Sequence, residues 1–263
     1  MTAFGRNGTM RHFHEQLNDL FQRLVLMGSL AENMIRTAVR ALTEGNEGLA
    51  ADVYAREQEV NALQVEVDDK CVRLTSLQQP VAQDARFLFM ASRIGGELER
   101  IADLAINICQ NTHYALEGEP LKPLVDLTIM CEIVQKMVRD SVTAMINRDP
   151  AMADLVLSEE EKVDAFRDQV FRVLLTHMMG DPRTIGQCLS LILIARNLER
   201  IGDHATNIAE EVIYWIHGRD VRHQGSRQRA PAPGGTQAAA AGPTADTDQA
   251  NGEANEAATG RNV

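Results

Sequence analysis

One stretch of this chain occurs twice. Leu98-Glu99-Arg100-Ile101-Ala102-Asp103-Leu104-Ala105-Ile106-Asn107-Ile108 returns one hundred residues later as Leu198-Glu199-Arg200-Ile201-Gly202-Asp203-His204-Ala205-Thr206-Asn207-Ile208, with eight of eleven positions identical. Two shorter matches lie upstream in the same order. Asp84-Ala85-Arg86 answers to Asp181-Pro182-Arg183, and Glu57-Gln58-Glu59-Val60-Asn61 to Glu160-Glu161-Lys162-Val163-Asp164. A chain that repeats the same segments in the same order folds as two copies of one unit, packed together.

The punctuation between these segments predicts helices. A first helix is expected from His14 to Glu44, ending near Gly45-Asn46. A second runs to Leu77 and stops before Gln79-Pro80. A third is expected to be capped by Asp84 and to run to Glu117-Gly118, and a fourth from Leu124 to Arg148. Asp149-Pro150 reads as a cap with proline in the first turn of a fifth helix reaching Met179. Gly180-Asp181-Pro182 repeats that device before a sixth that ends at Gly218. Long helices joined by short turns make antiparallel bundles. The expected fold is therefore all-α: two tandem three-helix bundles, residues 10–118 and 119–223. The segment 224–263 holds no Leu, Ile, Phe, Met, Trp or Tyr. It cannot offset its chain entropy by burying apolar surface, so it is expected to be disordered.

Leu191, Ile194, Leu198, Ile201, Ala205, Ile208, Val212 and Trp215 recur at steps of three and four, as do Phe87, Ala91, Ile94, Leu98, Ile101, Ala105 and Ile108. These are core seams, and full burial of each large member contributes ~1.5–3 kcal/mol. The seams explain the repeated apolar positions. They do not explain why Glu99, Asp103 and Asn107 match Glu199, Asp203 and Asn207, since at ~100° per residue these fall on the opposite face. Outward positions are free to drift, yet these have not.

Glu and Asp four residues apart on a helix have Cβ atoms ~5–6 Å apart and repel each other when nothing lies between them. A bound cation reverses the sign, and oxygen-only ligands suit Mg, Mn or Ca, with iron a reasonable extension. A single helix offers too few oxygens. A neighbouring helix can add Glu57 in the first half, or Glu160 and Asp164 in the second. The competing reading is a solvated face with local ion pairs, Arg100–Asp103 and Arg200–Asp203, each worth ~0.3–0.5 kcal/mol. His204 follows Asp203 and is in reach of a metal there, although the first copy has Leu104. No histidine belongs to a Glu-x-x-His pair, which counts against a ferritin-like di-iron centre. Nucleotide loops of the GxGxxG or GxxxxGK[ST] kind and a GxSxG elbow do not occur. A two-metal phosphoester hydrolase and a metal-free helical scaffold are the other readings these residues allow.

The net charge of −11 argues against nucleic acid as a partner, because phosphate binding needs a basic stripe. No run approaches the ~18 apolar residues that cross a bilayer, and MTAFGRNGTMRHFHEQ has no signal-peptide core. A cytoplasmic location without membrane insertion is expected. Cys71, Cys109, Cys131 and Cys188 lie far apart and are expected to be buried, reduced thiols.

Two tandem three-helix units, each with Glu-Arg-Ile-(Ala/Gly)-Asp on its third helix, resemble the PhoU family of phosphate transport regulators. The resemblance covers about residues 10 to 223. It includes Gln79-Pro80 ahead of Asp84-Ala85-Arg86, the Asp181-Pro182-Arg183-Thr184-Ile185 start, and the closing Gly218-Arg219-Asp220-Val221-Arg222-His223. It implies a homodimeric, non-enzymatic repressor of the phosphate regulon. Such a protein links the ATPase subunit of a phosphate ABC transporter to the PAS domain of a sensor histidine kinase, and sits at the inner membrane through those partners. It also implies multinuclear metal clusters (Fe, Mn, Mg or Zn) on Glu99, Asp103, Glu199, Asp203, Glu160 and Asp164, with Glu57 on the second helix. Asn61 departs from the motif, standing where the second half has Asp164.

Overall fold

A computed structural model describes residues 3–78, 80–117 and 124–218. Six α-helices follow one another: α1 (Ala3–Thr43), α2 (Ala50–Gln78), α3 (Ala82–Ala115), α4 (Leu124–Asn147), α5 (Pro150–Gly180) and α6 (Ile185–His217). No strand occurs among the described residues. The first helix starts at Ala3, well before the expected His14, and runs through Gly5 and Gly8. The segment 224–263 and the motif after Gly218 lie outside the described residues, as do Gln79 and residues 118–123.

The turns follow their local chemistry. Asp149 caps α5, accepting from the backbone N–H of Ala151 at 2.9 Å and of Met152 at 3.1 Å, with Pro150 in the first turn. Asp181 accepts from the Arg183 N–H, but it opens a 3₁₀ turn over Pro182–Thr184, and α6 begins only at Ile185. Asp84 does not cap α3. The helix starts at Ala82 after an extended Val81, which leaves Asp84 inside the first turn, where its charge still favours the helix dipole.

The α1–α2 and α4–α5 turns are built alike. Asn46 N–H donates to Ala41 O and Asp149 N–H to Ala144 O, each at 2.9 Å, closing a left-handed residue between them. That residue is Gly45 at φ +62° in the first half and Arg148 at φ +51° in the second. Arg148 holds a conformation that glycine adopts without cost. Its guanidinium lies over the Trp215 ring, 4.7 Å from the centroid.

Helices α1, α2 and α3 pack as one three-helix bundle and α4, α5 and α6 as the other. The bundles meet through α3 against α6, the most extensive helix pair, and through α1 against α4. The described helices thus belong to one compact unit, Met1–Arg222. α3 and α6 run antiparallel: Phe87 packs against Trp215 with the tilted ring centroids 5.3 Å apart, while Gln187 donates to Ala115 O at the other end. All fifteen residues of the two expected seams are buried. Gly28 on α1 lets α4 come close, since a Cβ there would lie 2.7 Å from Val142 Cγ2.

Candidate functional site: two carboxylate crevices

Burial of Val163 and Val170 on α5, and of Leu198 and Ile201 on α6, turns the next residues round each helix towards one crevice. Glu160, Asp164 and Arg167 come from α5, Glu199 and Asp203 from α6. All are half-buried. Arg167 lies between the helices, with its Nη1 2.6 Å from Glu199 Oε1 and 3.4 Å from Asp164 Oδ1, and its Nη2 2.9 Å from Asp168 Oδ1. Burial works against the Arg167 charge. The hydrogen bond to Asp168 and the fields of Asp164, Glu199 and Asp168 outweigh it and hold the guanidinium above its ordinary pKa. Asp203 is pushed up to about 6, first by burial and then by the negative charges of Glu199, Glu160 and Asp164. The expected Arg200–Asp203 ion pair does not form among the described residues.

The first-half crevice lies between α2 and α3. It holds Glu57 and Asn61 opposite Glu99 and Asp103, again half-buried. Asn61 Nδ2 donates to Glu57 Oε1, and Asn61 Oδ1 is buried with no partner among the described residues. Glu99 is raised by burial and by the charges of Asp103 and Glu57, with Arg100 pulling the other way. The expected Arg100–Asp103 pair forms at 4.0 Å, beside a 3.7 Å approach to Glu99.

The seven carboxylates named from sequence thus divide between two crevices, three in the first and four in the second. None of them enters the hydrophobic core, and none stands fully free in solvent. The donor set is oxygen-rich and anionic, which fits a hard divalent cation, and the second crevice already attracts a positive side chain. As the side chains stand, no three of His, Cys, Asp or Glu among the described residues are drawn together into a metal-holding group.

Sequence reasoning missed two features. One is Arg167, which had no counterpart in the repeat to draw attention to it. The other is a polar seam between α3 and α6. Glu97 Oε2 lies 2.6 Å from His204 Nδ1 and accepts from Asn207 Nδ2 at 3.0 Å, while Arg93 pairs with Glu211 at 2.7 Å. The Nδ1 of His204, weighed as a metal ligand, is thereby committed to Glu97. The seam borders a groove of about 680 Å³ that also reaches Glu99 and Arg100. A signal was present: the copies differ at both contact positions, Glu97 against Asn197 and His204 against Leu104. The two departures from the repeat touch each other.

The four cysteines are buried free thiols, as expected. Burial pushes Cys71 and Cys131 up to about 12 and Cys109 to about 11, which keeps these three thiols protonated and poorly nucleophilic.

Comparison with known proteins agrees with the duplicated architecture. The family model described as the PhoU domain matches twice, at residues 24–112 and 127–212, once in each half. The phosphate-specific transport system accessory protein PhoU homolog of Pseudomonas putida is 36% identical over 248 residues, 92% of each chain. The protein of that description from Zymomonas mobilis is 38% identical over 213 residues, 81% of this chain and 90% of its own. The crystal structure of PhoU from Pseudomonas aeruginosa superposes with a TM-score of 0.76 at 36% identity, over 79% of this chain and all of that one.

Proposed function

Because the chain belongs to the PhoU family, we propose that it is a regulatory accessory protein of phosphate uptake, an adaptor and not an enzyme. The observation that carries this reading is the double family match, one per bundle, on a chain that covers nine-tenths of its curated relatives. The adaptor restrains a phosphate ABC transporter through its ATPase subunit and holds a sensor histidine kinase in its repressing state through the PAS domain when phosphate is plentiful. It acts as a homodimer in the cytoplasm, next to the inner membrane through those partners. No helix among the described residues is long and apolar enough to cross a membrane, so such a location depends on docking.

The crevices serve this role as metal sites. Glu160, Asp164, Glu199 and Asp203 hold a divalent cation in the second half, and Glu57, Glu99 and Asp103 supply fewer charges in the first. The bound charge neutralises a ridge that otherwise repels itself, and so sets the surface a partner meets. Mg, Mn, Fe and Zn are all compatible with carboxylate donors, and Mn2+ is a convenient paramagnetic probe of them.

Deletion of the gene in its native host tests the regulatory reading. Alkaline phosphatase made constitutively in high phosphate, and repressed again by the wild-type gene, is the expected result. Normal repression in the deletion strain would overturn it. Changing Glu99, Asp103, Glu199 and Asp203 together to Ala tests the sites: Mn2+ content and capture of the transporter ATPase fall. Unaltered values for both sink the site assignment.

A further inference from the structure

The two crevices differ at two positions that change together. Where α2 has Asn61, α5 has Asp164, and where α2 has Gln64, α5 has Arg167, each pair 103 residues apart, like Glu57 and Glu160. The second crevice therefore gains one negative and one positive charge relative to the first. The two gained groups face each other at 3.4 Å, and the gained cation also reaches across to Glu199 at 2.6 Å. Gln64 does nothing comparable, because its amide donates to Asp68 on its own helix at 2.6 Å.

We infer that Arg167 is the built-in counter-ion of the second crevice: it occupies the cation position, and an incoming divalent metal displaces it. This rests on reading that crevice as a metal site. The guanidinium has a place to retreat. Its Nε and Nη2 both donate to Asp168, at 3.1 and 2.9 Å. The Asp168 side chain is exposed and can swing outward with the guanidinium as Nη1 leaves Glu199 and Asp164. A ligand that binds only the released form sees its affinity reduced by the fraction released. Arg167 thus weakens metal binding and keeps the empty crevice from flying apart. The first crevice, with a neutral amide at each of the two positions, needs no such device.

The test uses the full chain, stripped with EDTA, and Mn2+ followed by titration calorimetry and by the electron spin resonance of the free ion. R167Q installs the residue of the other half and should bind Mn2+ about tenfold more tightly than wild type. Without metal it should melt at a lower temperature, and Mn2+ should raise that temperature further than it does for wild type. R167K keeps a positive charge and should bind within about threefold of wild type. Removing the carboxylates in E199Q/D203N should abolish binding at the second crevice, the binding that R167Q strengthens. Equal affinity in wild type and R167Q, with binding still lost in E199Q/D203N, overturns the counter-ion role and leaves the metal site standing. Absence of Mn2+ binding in wild type, R167Q and R167K alike removes both.

Discussion

Glu97 on α3 and His204 on α6 meet at 2.6 Å across the line where the two bundles join. Their repeat equivalents are Asn197 and Leu104, which cannot form such a pair, so the join carries this contact once and not twice. Burial acts to raise the Glu97 pKa. Hydrogen bonds from His204 and Asn207, with the charges of His204 and Arg100, win and hold it below the ordinary carboxylate range. His204→Leu removes one donor and leaves a half-buried carboxylate under-satisfied, at a cost of ~1–2 kcal/mol. E97N/H204L installs the repeat-equivalent pair and should recover much of that loss. Urea denaturation of the two single variants and the double gives the coupling, expected at ~1 kcal/mol. Strictly additive losses would mean that the pair is adjacent but energetically independent.

Gly28 and Gly96 should respond in opposite directions to alanine. A Cβ at Gly28 would lie 2.7 Å from Val142 Cγ2 and 3.1 Å from Cγ1, and the branched valine has few rotamers to escape to. G28A should destabilise by ~1–3 kcal/mol, because it wedges α1 from α4. At Gly96 no described heavy atom lies within 4 Å of the added carbon. G96A should stabilise by ~0.5–1 kcal/mol through helix propensity alone. Thermal melts of both variants check the sign.

Asp203 makes the stability of the metal-free protein depend on pH. Its folded pKa is about 6 against an ordinary 3.8, raised first by burial and then by Glu199, Glu160 and Asp164. Between those two values the native state keeps a proton that the unfolded chain has released. Stability from this group is therefore fully present below about pH 4 and is lost as pH rises towards 6. Asp203→Asn should raise stability at pH 7.5 by on the order of 1 kcal/mol after solvent screening, and should have no effect near pH 4. Metal binding must expel the same proton, so Mn2+ affinity should fall as pH drops below 6. Melts in EDTA at both pH values measure the first effect, and calorimetry across the range measures the second.

The fold was legible because helix punctuation and apolar spacing are local. Asp149-Pro150 and the Leu191–Trp215 seam each carry their meaning within a few residues. The start of α1 was not legible, since Gly5 and Gly8 lower the helix propensity of residues 3–13 and no apolar seam runs through them. Asp84 was misread as a cap because capping depends on the backbone of Val81, one turn earlier. Within the site, the carboxylates stood out by repetition. Arg167 and Glu97 did not, because each matters through a partner on another helix and each breaks the repeat.

Asn61 offers the converse of the Arg167 experiment. Its Nδ2 donates to Glu57, while its Oδ1 is buried without a partner among the described residues. Asp at this position turns the donated hydrogen bond into a repulsion between two carboxylates four residues apart, beside Glu99 and Asp103. Gln64 provides no guanidinium to offset it. Metal-free N61D should therefore melt lower than wild type, with a loss of ~1–2 kcal/mol, typical of an uncompensated half-buried charge. The same change gives the first crevice the four carboxylates that the second already has. The number of Mn2+ ions bound per chain should rise, and the melting temperature should return to or exceed that of wild type in saturating Mn2+. Calorimetric stoichiometry paired with melts in EDTA and in Mn2+ measures both. A destabilised N61D that gains no metal would show that carboxylate count alone does not make this crevice a cation site, and that the α2–α3 geometry differs from α5–α6 in some further respect.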